Sequence, residues 1–373
     1  MKIAVNTRFL IKNKLEGIGW FTYEIIRRVV KAHPEHEFYF LFDRPFPEEF
    51  IFASNVKGIV VNPPARHPML WYWWFEKSIP KILKKINPDI FISTDGFLSL
   101  KTPVKTILTI HDLAFEHFPE QIPKSARKFY LKNTPKYARK ADLIITVSEF
   151  SKKDITEKYQ IDPSKIVVIH NGAGSQFKPL SEEEKDAVKS RYSVGQDYFL
   201  FVSAIQPRKN LVRLLEAFDI FKAKFPGKQK LLVAGKHTWI KEEIESAVNK
   251  MTHKEDVIFL GHLSRQELIK VMGAATALTY VSLFEGFGIP IVDAMNAEVP
   301  VITSGVSSMP EVAGDAALLV DPYSIQSIAD ALIKIYSDPG LHISLVKNGR
   351  LQRQKFNWDR SAEAFWQCIE KVV

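Results

Sequence analysis

Cysteine is almost missing: Cys368 is the only one in 373 residues. This excludes a disulfide framework within the chain and points to a reducing compartment. Long apolar runs are missing too. No uncharged stretch approaches the roughly 18 residues of a membrane span, and MKIAVNTRFL enters a strand pattern without the apolar core of a secretory signal. A cytoplasmic protein is the expectation. No Asp-x-Asp triplet occurs, and His and Cys are not spaced as ligands, so no metal site is expected. Zinc-finger cysteines, an RNP-like aromatic motif and a basic region followed by heptads are equally missing, which leaves no modular route to a nucleic-acid partner.

What is present is charge and apolar mass. With 51 basic against 42 acidic residues the formal net charge is +9, which suits an anionic small substrate or anionic lipid. An apolar share of 46% is ample for two cores. Short runs rich in Val and Ile (KIAV, FYFLF, IVV, DIFIS, KTILTI, LIITV) alternate with helix-period stretches such as residues 19–31 and 125–140. After KIVVIHNG comes a polar segment, residues 175–197, with Pro179 and three consecutive acids. The alternation then resumes with YFLFV, KLLVAG, VIFLG, ALTYV, PVITS and AALLV. Apolar strands need cover on both faces, so the chain reads as α/β, with two Rossmann-like domains of mainly parallel sheets facing across a cleft. The expected limits are residues 1–178 and 179–355, followed by a terminal helix over 356–373. Ligands of such sheets sit beyond the carboxyl ends of the strands.

The most informative strand end follows Ser282 and reads Leu283-Phe284-Glu285-Gly286-Phe287-Gly288-Ile289-Pro290. Pro290 suits a first helical turn, and Gly286 and Gly288 let backbone approach a ligand closely. The helix would then present free N–H groups to oxygens of a ligand. Glu285 precedes the turn and Asp293 lies about one turn into the helix, so both carboxylates could reach one ligand. A carboxylate beside a diphosphate is repelled by it, which assigns Glu285 to a sugar and Asp293 to a neutral diol such as ribose. The bland alternative is a tight strand-to-helix connection. Another strand ends in Gln206-Pro207-Arg208-Lys209-Asn210. Arg208 and Lys209 favour a diphosphate there, and Asn210 suits a helix cap. KTILTI ends in His111, which is either packed or ligand-binding. Gly17 and Gly19 precede a helix expected from about Trp20, where backbone could face a diphosphate or an acceptor.

The run EGFGIPIVDAMNAEVPV resembles the E-x7-E motif of the family 4 glycosyltransferases, whose members read like YEGFGLP followed by an acid and AMACGTPV. The departure is Asp293 where the family usually has Glu. The Pro207-to-Asn210 run is similar to the family's PRKN element, whose basic residues bind the donor diphosphate. His111-Asp112 resembles its HD element, whose His lies near the donor sugar. The resemblance implies a GT-B fold with a terminal helix crossing back onto the first domain. It also implies nucleobase contacts near Leu263, and retaining, metal-independent transfer without a cofactor. In that reading Glu285 and His111 are catalytic. Arg208, Lys209, Gly286, Phe287, Gly288, Asp293, Gly17, Gly19 and Leu263 bind the donor. Similarity to bacterial surface-polysaccharide enzymes implies a nucleotide diphosphate sugar, GDP-mannose first, and a glycan or lipid-linked acceptor.

Two other enzyme classes compete. Gly17 and Gly19 after a strand, with Asp43 ending the next one, partly fit the fingerprint of a nicotinamide-dependent oxidoreductase, although Thr22 takes the third glycine position and residues 11–16 lengthen the turn. A hydrolysing or epimerising nucleotide-sugar enzyme would share the architecture. Finally Trp71, Tyr72, Trp73, Trp74 and Phe75, followed by Lys77, Lys81, Lys84 and Lys85, suit either the first core or peripheral contact with an anionic membrane. Glu76 interrupts that basic face.

Overall fold

The computed structural model describes residues 1–236 and 241–373. The chain divides into two compact units, one made of Met1–Asn171 with Asn357–Val373 and the other of Gly172–Phe356. The change of unit comes seven residues before the junction expected at 178/179. The three consecutive acids open a helix of the second unit, Glu182–Tyr192. Ser181 and Glu184 start it with a capping box, each satisfying the other's backbone amide.

Among the described residues the first unit holds a seven-stranded parallel sheet: β1 (Lys2–Asn6), β2 (Glu37–Phe42), β3 (Val56–Val60), β4 (Ile90–Ser93), β5 (Lys105–Thr109), β6 (Leu143–Thr146) and β7 (Ile166–Val168), in the order β3-β2-β1-β4-β5-β6-β7. Every residue of β4 and β6 is buried, as continuous apolar strands under two helical layers must be. The helix Trp358–Val372 belongs to this unit. Asn357 caps it through Oδ1, which accepts from the amides of Asp359 and Arg360. Its buried Trp358 and Phe365 meet Phe21 at 6.3 and 6.4 Å between ring centres, and Trp366 stacks on His33 at 3.5 Å. Ser361 Oγ donates to the His170 carbonyl at 2.7 Å, tying the tail to the end of β7's connection.

Among the described residues the second unit holds six parallel strands: β8 (Tyr198–Val202), β9 (Lys230–Ala234), β10 (Val257–Gly261), β11 (Ala277–Tyr280), β12 (Val301–Ser304) and β13 (Ala317–Val320), in the order β10-β9-β8-β11-β12-β13. Its core packs Phe199, Phe201, Leu231 and Val233 against Leu214, Phe218 and Phe221 of the helix Leu211–Lys224. Strand order reverses between β8 and β11 here, and between β1 and β4 in the first unit. Such reversals splay the connections apart and leave a crevice at the carboxyl ends of the two strands.

Candidate functional site

In the second unit the reversal lies between the two connections that carry acid and base. After β8 the chain turns through the short helix Pro207–Lys209; after β11 it runs to Glu285. The connections are fastened to each other: the Leu283 amide donates to the Arg208 carbonyl at 2.7 Å, and Arg208 Nη1 donates to the Phe284 carbonyl at 3.0 Å. Lys209 Nζ is ion-paired to Glu285 Oε1, and Arg208 Nη1 stands 3.4 Å from Oε2. Lys209 and Glu285 are both buried, at 7% and 6% exposure. Burial alone would raise the Glu285 carboxyl, but Lys209 and Arg208 outweigh it and hold it at about 2. Burial and the same carboxylate push the Tyr280 phenol well above its ordinary value.

Asn210 does not cap the following helix. Its backbone is left-handed (φ 64°), and its side chain donates to the carbonyls of Val281 at 3.0 Å and Pro322 at 2.7 Å, lashing the connection to the ends of β11 and β13. Two serines of the segment after β12 hold the glycine turn. Ser307 Oγ accepts from the Glu285 amide at 3.1 Å. The hydroxyl of buried Ser308 lies 2.9 Å from the Glu285 carbonyl and 3.0 Å from that of Phe287, its single proton shared between them. Gly288 has φ 102°, outside the range of residues with a Cβ, and opens the helix Ile289–Asn296.

Asp293 sits in that helix in a different electrostatic setting. Its Oδ1 accepts from the Gly174 amide at 3.0 Å, and Asn296 Nδ2 donates to the Gly174 carbonyl at 3.2 Å, so the helix grips the start of its own unit from both sides. Burial pushes the Asp293 carboxyl up to about 7, against the opposing pull of the Gly174 amide and Arg265. Arg265 Nε donates to Gln176 Oε1 at 3.2 Å, and its guanidinium lies over the Phe177 ring. The two acids are therefore not an equivalent pair: cations keep one ionised, and the other is driven toward its neutral form. Leu263 is half-buried between Gly261, at φ 67°, and Ser264, which caps the helix Arg265–Gly273.

In the first unit His111 follows β5, and its Nε2 lies 2.8 Å from the Thr94 carbonyl, which can only accept. Nε2 therefore carries the proton. Burial lowers the imidazole's pKa, so the ring is neutral and Nδ1 is the acceptor. Phe21 meets the ring edge-on at 5.0 Å, so His111 is packed yet keeps an acceptor atom. The helix expected from Trp20 begins at Gly17. Gly19 is buried, and a Cβ there would stand 2.9 Å from the Phe9 carbonyl; the close approach that requires glycine is to the unit's own loop, while a Cβ at Gly17 would meet nothing within 4 Å.

The dinucleotide fingerprint does not survive this geometry. Asp43 is wholly buried, with its carboxylate accepting from Arg44 Nε at 2.6 Å, Arg44 Nη2 at 2.9 Å and the Ala65 amide at 3.0 Å. The Thr22 hydroxyl fills the third glycine position and pairs with Thr94 Oγ1 at 2.7 Å. Among the described residues His33, Glu35 and His36 bring their ligand atoms within 4.8 Å of one another, a grouping not singled out from sequence. It lies at the amino edge of the sheet, where the Met1 amine reaches His36 Nδ1 at 3.1 Å.

Comparison with known proteins agrees with the motifs. Residues 15–175 match the family model described as Glycosyltransferase Family 4, and residues 182–352 match the one described as Glycosyl transferases group 1. The chain belongs to the family 4 glycosyltransferases. This glycosyltransferase is 27% identical over 370 residues to O-antigen chain mannosyltransferase B of Escherichia coli, covering 96% of this chain and 97% of the relative. Its fold is that of sucrose-phosphate synthase from Thermosynechococcus elongatus (TM-score 0.82, 19% identity, 100% of this chain and 98% of the other). The Anabaena protein HepE, solved with UDP-glucose, shares it too (TM-score 0.77, 16% identity, 100% of both). The glycosyltransferase thus has the GT-B fold.

Proposed function

We propose that this glycosyltransferase moves a hexose, with retention and without a metal, from a nucleotide diphosphate donor to a glycan or lipid-linked acceptor of a cell-surface polysaccharide. The observation that carries the reading is the buried contact of Glu285 with Lys209 and Arg208 at the strand reversal of the second unit. A carboxylate held ionised there can orient sugar hydroxyls and stabilise a carbon that becomes cationic. The two cations, shared with it, neutralise the diphosphate as the bond to the sugar breaks. Backbone at Gly286, Phe287 and Gly288 lines the donor, Asp293 accepts from ribose, and the region of Leu263 meets the base. Gly17 and Gly19 open a helix whose first amides suit an oxygen-rich ligand such as a diphosphate. The acceptor hydroxyl forms the new bond to the anomeric carbon as the phosphate leaves, and its proton passes to a leaving phosphate oxygen. Neutral His111, with Nδ1 as acceptor, suits a sugar hydroxyl.

Mannose from GDP-mannose is our choice of donor, supported by the name of the E. coli relative; the UDP-glucose held by HepE makes UDP-sugars the alternative to test. A thermal-shift panel of GDP, UDP, dTDP and NAD on wild type and Arg208→Ala decides between them. Stabilisation by GDP that is lost in the variant is the expected result. Stabilisation by NAD alone would overturn the transferase reading.

A further inference from the structure

The helix Pro68–Trp73, a π turn over Trp74–Ser78 and the helix Ile79–Ile86 follow one another without a break in the first unit. Trp74 and Phe75 are wholly buried, so part of the aromatic cluster is core. The other part is outside: Met69, Tyr72 and Trp73 are 74%, 48% and 54% exposed, and exposed Lys77, Lys81, Lys84 and Lys85 continue from them. Glu76, expected to interrupt this basic face, turns inward. It is buried, its Oε1 accepts from the Leu100 amide at 3.0 Å, and burial raises its carboxyl.

A second helix, Lys124–Lys140, packs beside the first through Trp71, whose ring centre lies 5.4 Å from that of Phe129 and 5.7 Å from that of Tyr130. It contains seven Lys and Arg and no acid. Lys124, Arg127, Lys128, Lys132, Lys136 and Arg139 are all exposed at helical spacing, which lays them along one side. With the four lysines of the first helix these cations exceed the formal net charge of +9 for the whole chain, so the rest of the molecule is close to neutral.

We propose that this face of the first unit docks on an anionic lipid bilayer. Trp, Tyr and Met at a helix tip suit the headgroup boundary, where an apolar body can be buried while polar atoms stay wet. Each Lys or Arg brought near an anionic leaflet strengthens partitioning roughly fivefold. A nucleic acid would match the cations but leave the apolar tip without a role. The inference is independent of the donor reading, because vesicle binding is measured without nucleotide.

The test is co-sedimentation of the full chain with vesicles of pure phosphatidylcholine and of phosphatidylcholine with one-third phosphatidylglycerol. Much stronger binding to the second is expected, and Arg127→Gln/Lys128→Gln/Lys132→Gln should weaken it roughly a hundredfold. Met69→Ser/Trp73→Ser should leave the salt-sensitive part and remove the part that persists in 0.5 M NaCl. All five positions are exposed, and unchanged melting of both variants confirms that they fold. Equal binding to both vesicle types would overturn the proposal. So would insensitivity to both sets of substitutions, or retention on double-stranded DNA without vesicle binding.

Discussion

Replacing Asp293 by Asn should stabilise this glycosyltransferase at alkaline pH while weakening its hold on a nucleotide. The carboxyl is pushed from 3.8 to about 7 in the folded chain. Between those values the folded state keeps a proton that the unfolded chain has released. The favourable contribution of the protonated form is therefore complete below about pH 4 and lost as pH rises through 7. At 1.36 kcal/mol per pKa unit the full loss is about 4 kcal/mol, of which about 3 kcal/mol falls between pH 5 and 8. For a unit of this size that corresponds to roughly 6–12 °C in the melting midpoint. Asparagine keeps an acceptor for the Gly174 amide and cannot ionise. Calorimetric midpoints of wild type and Asp293→Asn should therefore diverge by that amount from pH 5 to 8, the variant being the more stable at pH 8. If the carboxylate accepts ribose hydroxyls, the same variant binds a nucleoside diphosphate about tenfold more weakly at pH 8, since hydrogen bonds to charged groups contribute about 1.5–3 kcal/mol. Parallel stability curves would refute the electrostatic argument, and undiminished nucleotide affinity would refute the ribose contact.

The other acid carries the opposite sign. Glu285 is held at about 2 against an ordinary 4.5, so its contribution of about 3 kcal/mol is complete above pH 4.5 and lost as pH falls through 2. Glu285→Gln should lose that stability at pH 7 in urea titrations, flatten the acid limb of the stability profile, and lower turnover by two orders of magnitude or more. Ser308→Ala strips the buried hydroxyl from the carbonyls of Glu285 and Phe287. A loss of about 1–3 kcal/mol is expected, with a several-fold higher donor KM and an unchanged acceptor KM in steady-state assays.

Legibility in the sequence followed the range of the forces involved. Strands such as β4 and β6 were readable because a parallel strand covered on both faces must be apolar along its length, and that is a local pattern. The acid and base of the site were readable because Glu285 and Arg208-Lys209 sit at strand ends, where the reversal of strand order puts ligands. What could not be read was set by partners distant in sequence. Asn210 looks like a cap, yet its acceptors are 71 and 112 residues away. Gly174 grips Asp293 across 119 residues, and a lone glycine carries no signal for that. Gly19 looked like room for a ligand, but the neighbour that excludes a side chain is the carbonyl of Phe9. Glu76 reads as a surface charge, and only the position of Leu100 turns it inward.

The tail helix Trp358–Val372 has a bearing on how the molecule comes into being. Residues 172–356 form a compact unit from one continuous stretch, and that stretch is interposed within the other unit. During synthesis the first 171 residues emerge with Phe21 and His33 still lacking Phe365 and Trp366. The interposed unit comes from one continuous stretch, so all of its residues are out as soon as that stretch clears the ribosome. The part of the glycosyltransferase that is made first is thus completed last, and it spends the whole interval with an apolar groove that only the final helix can fill.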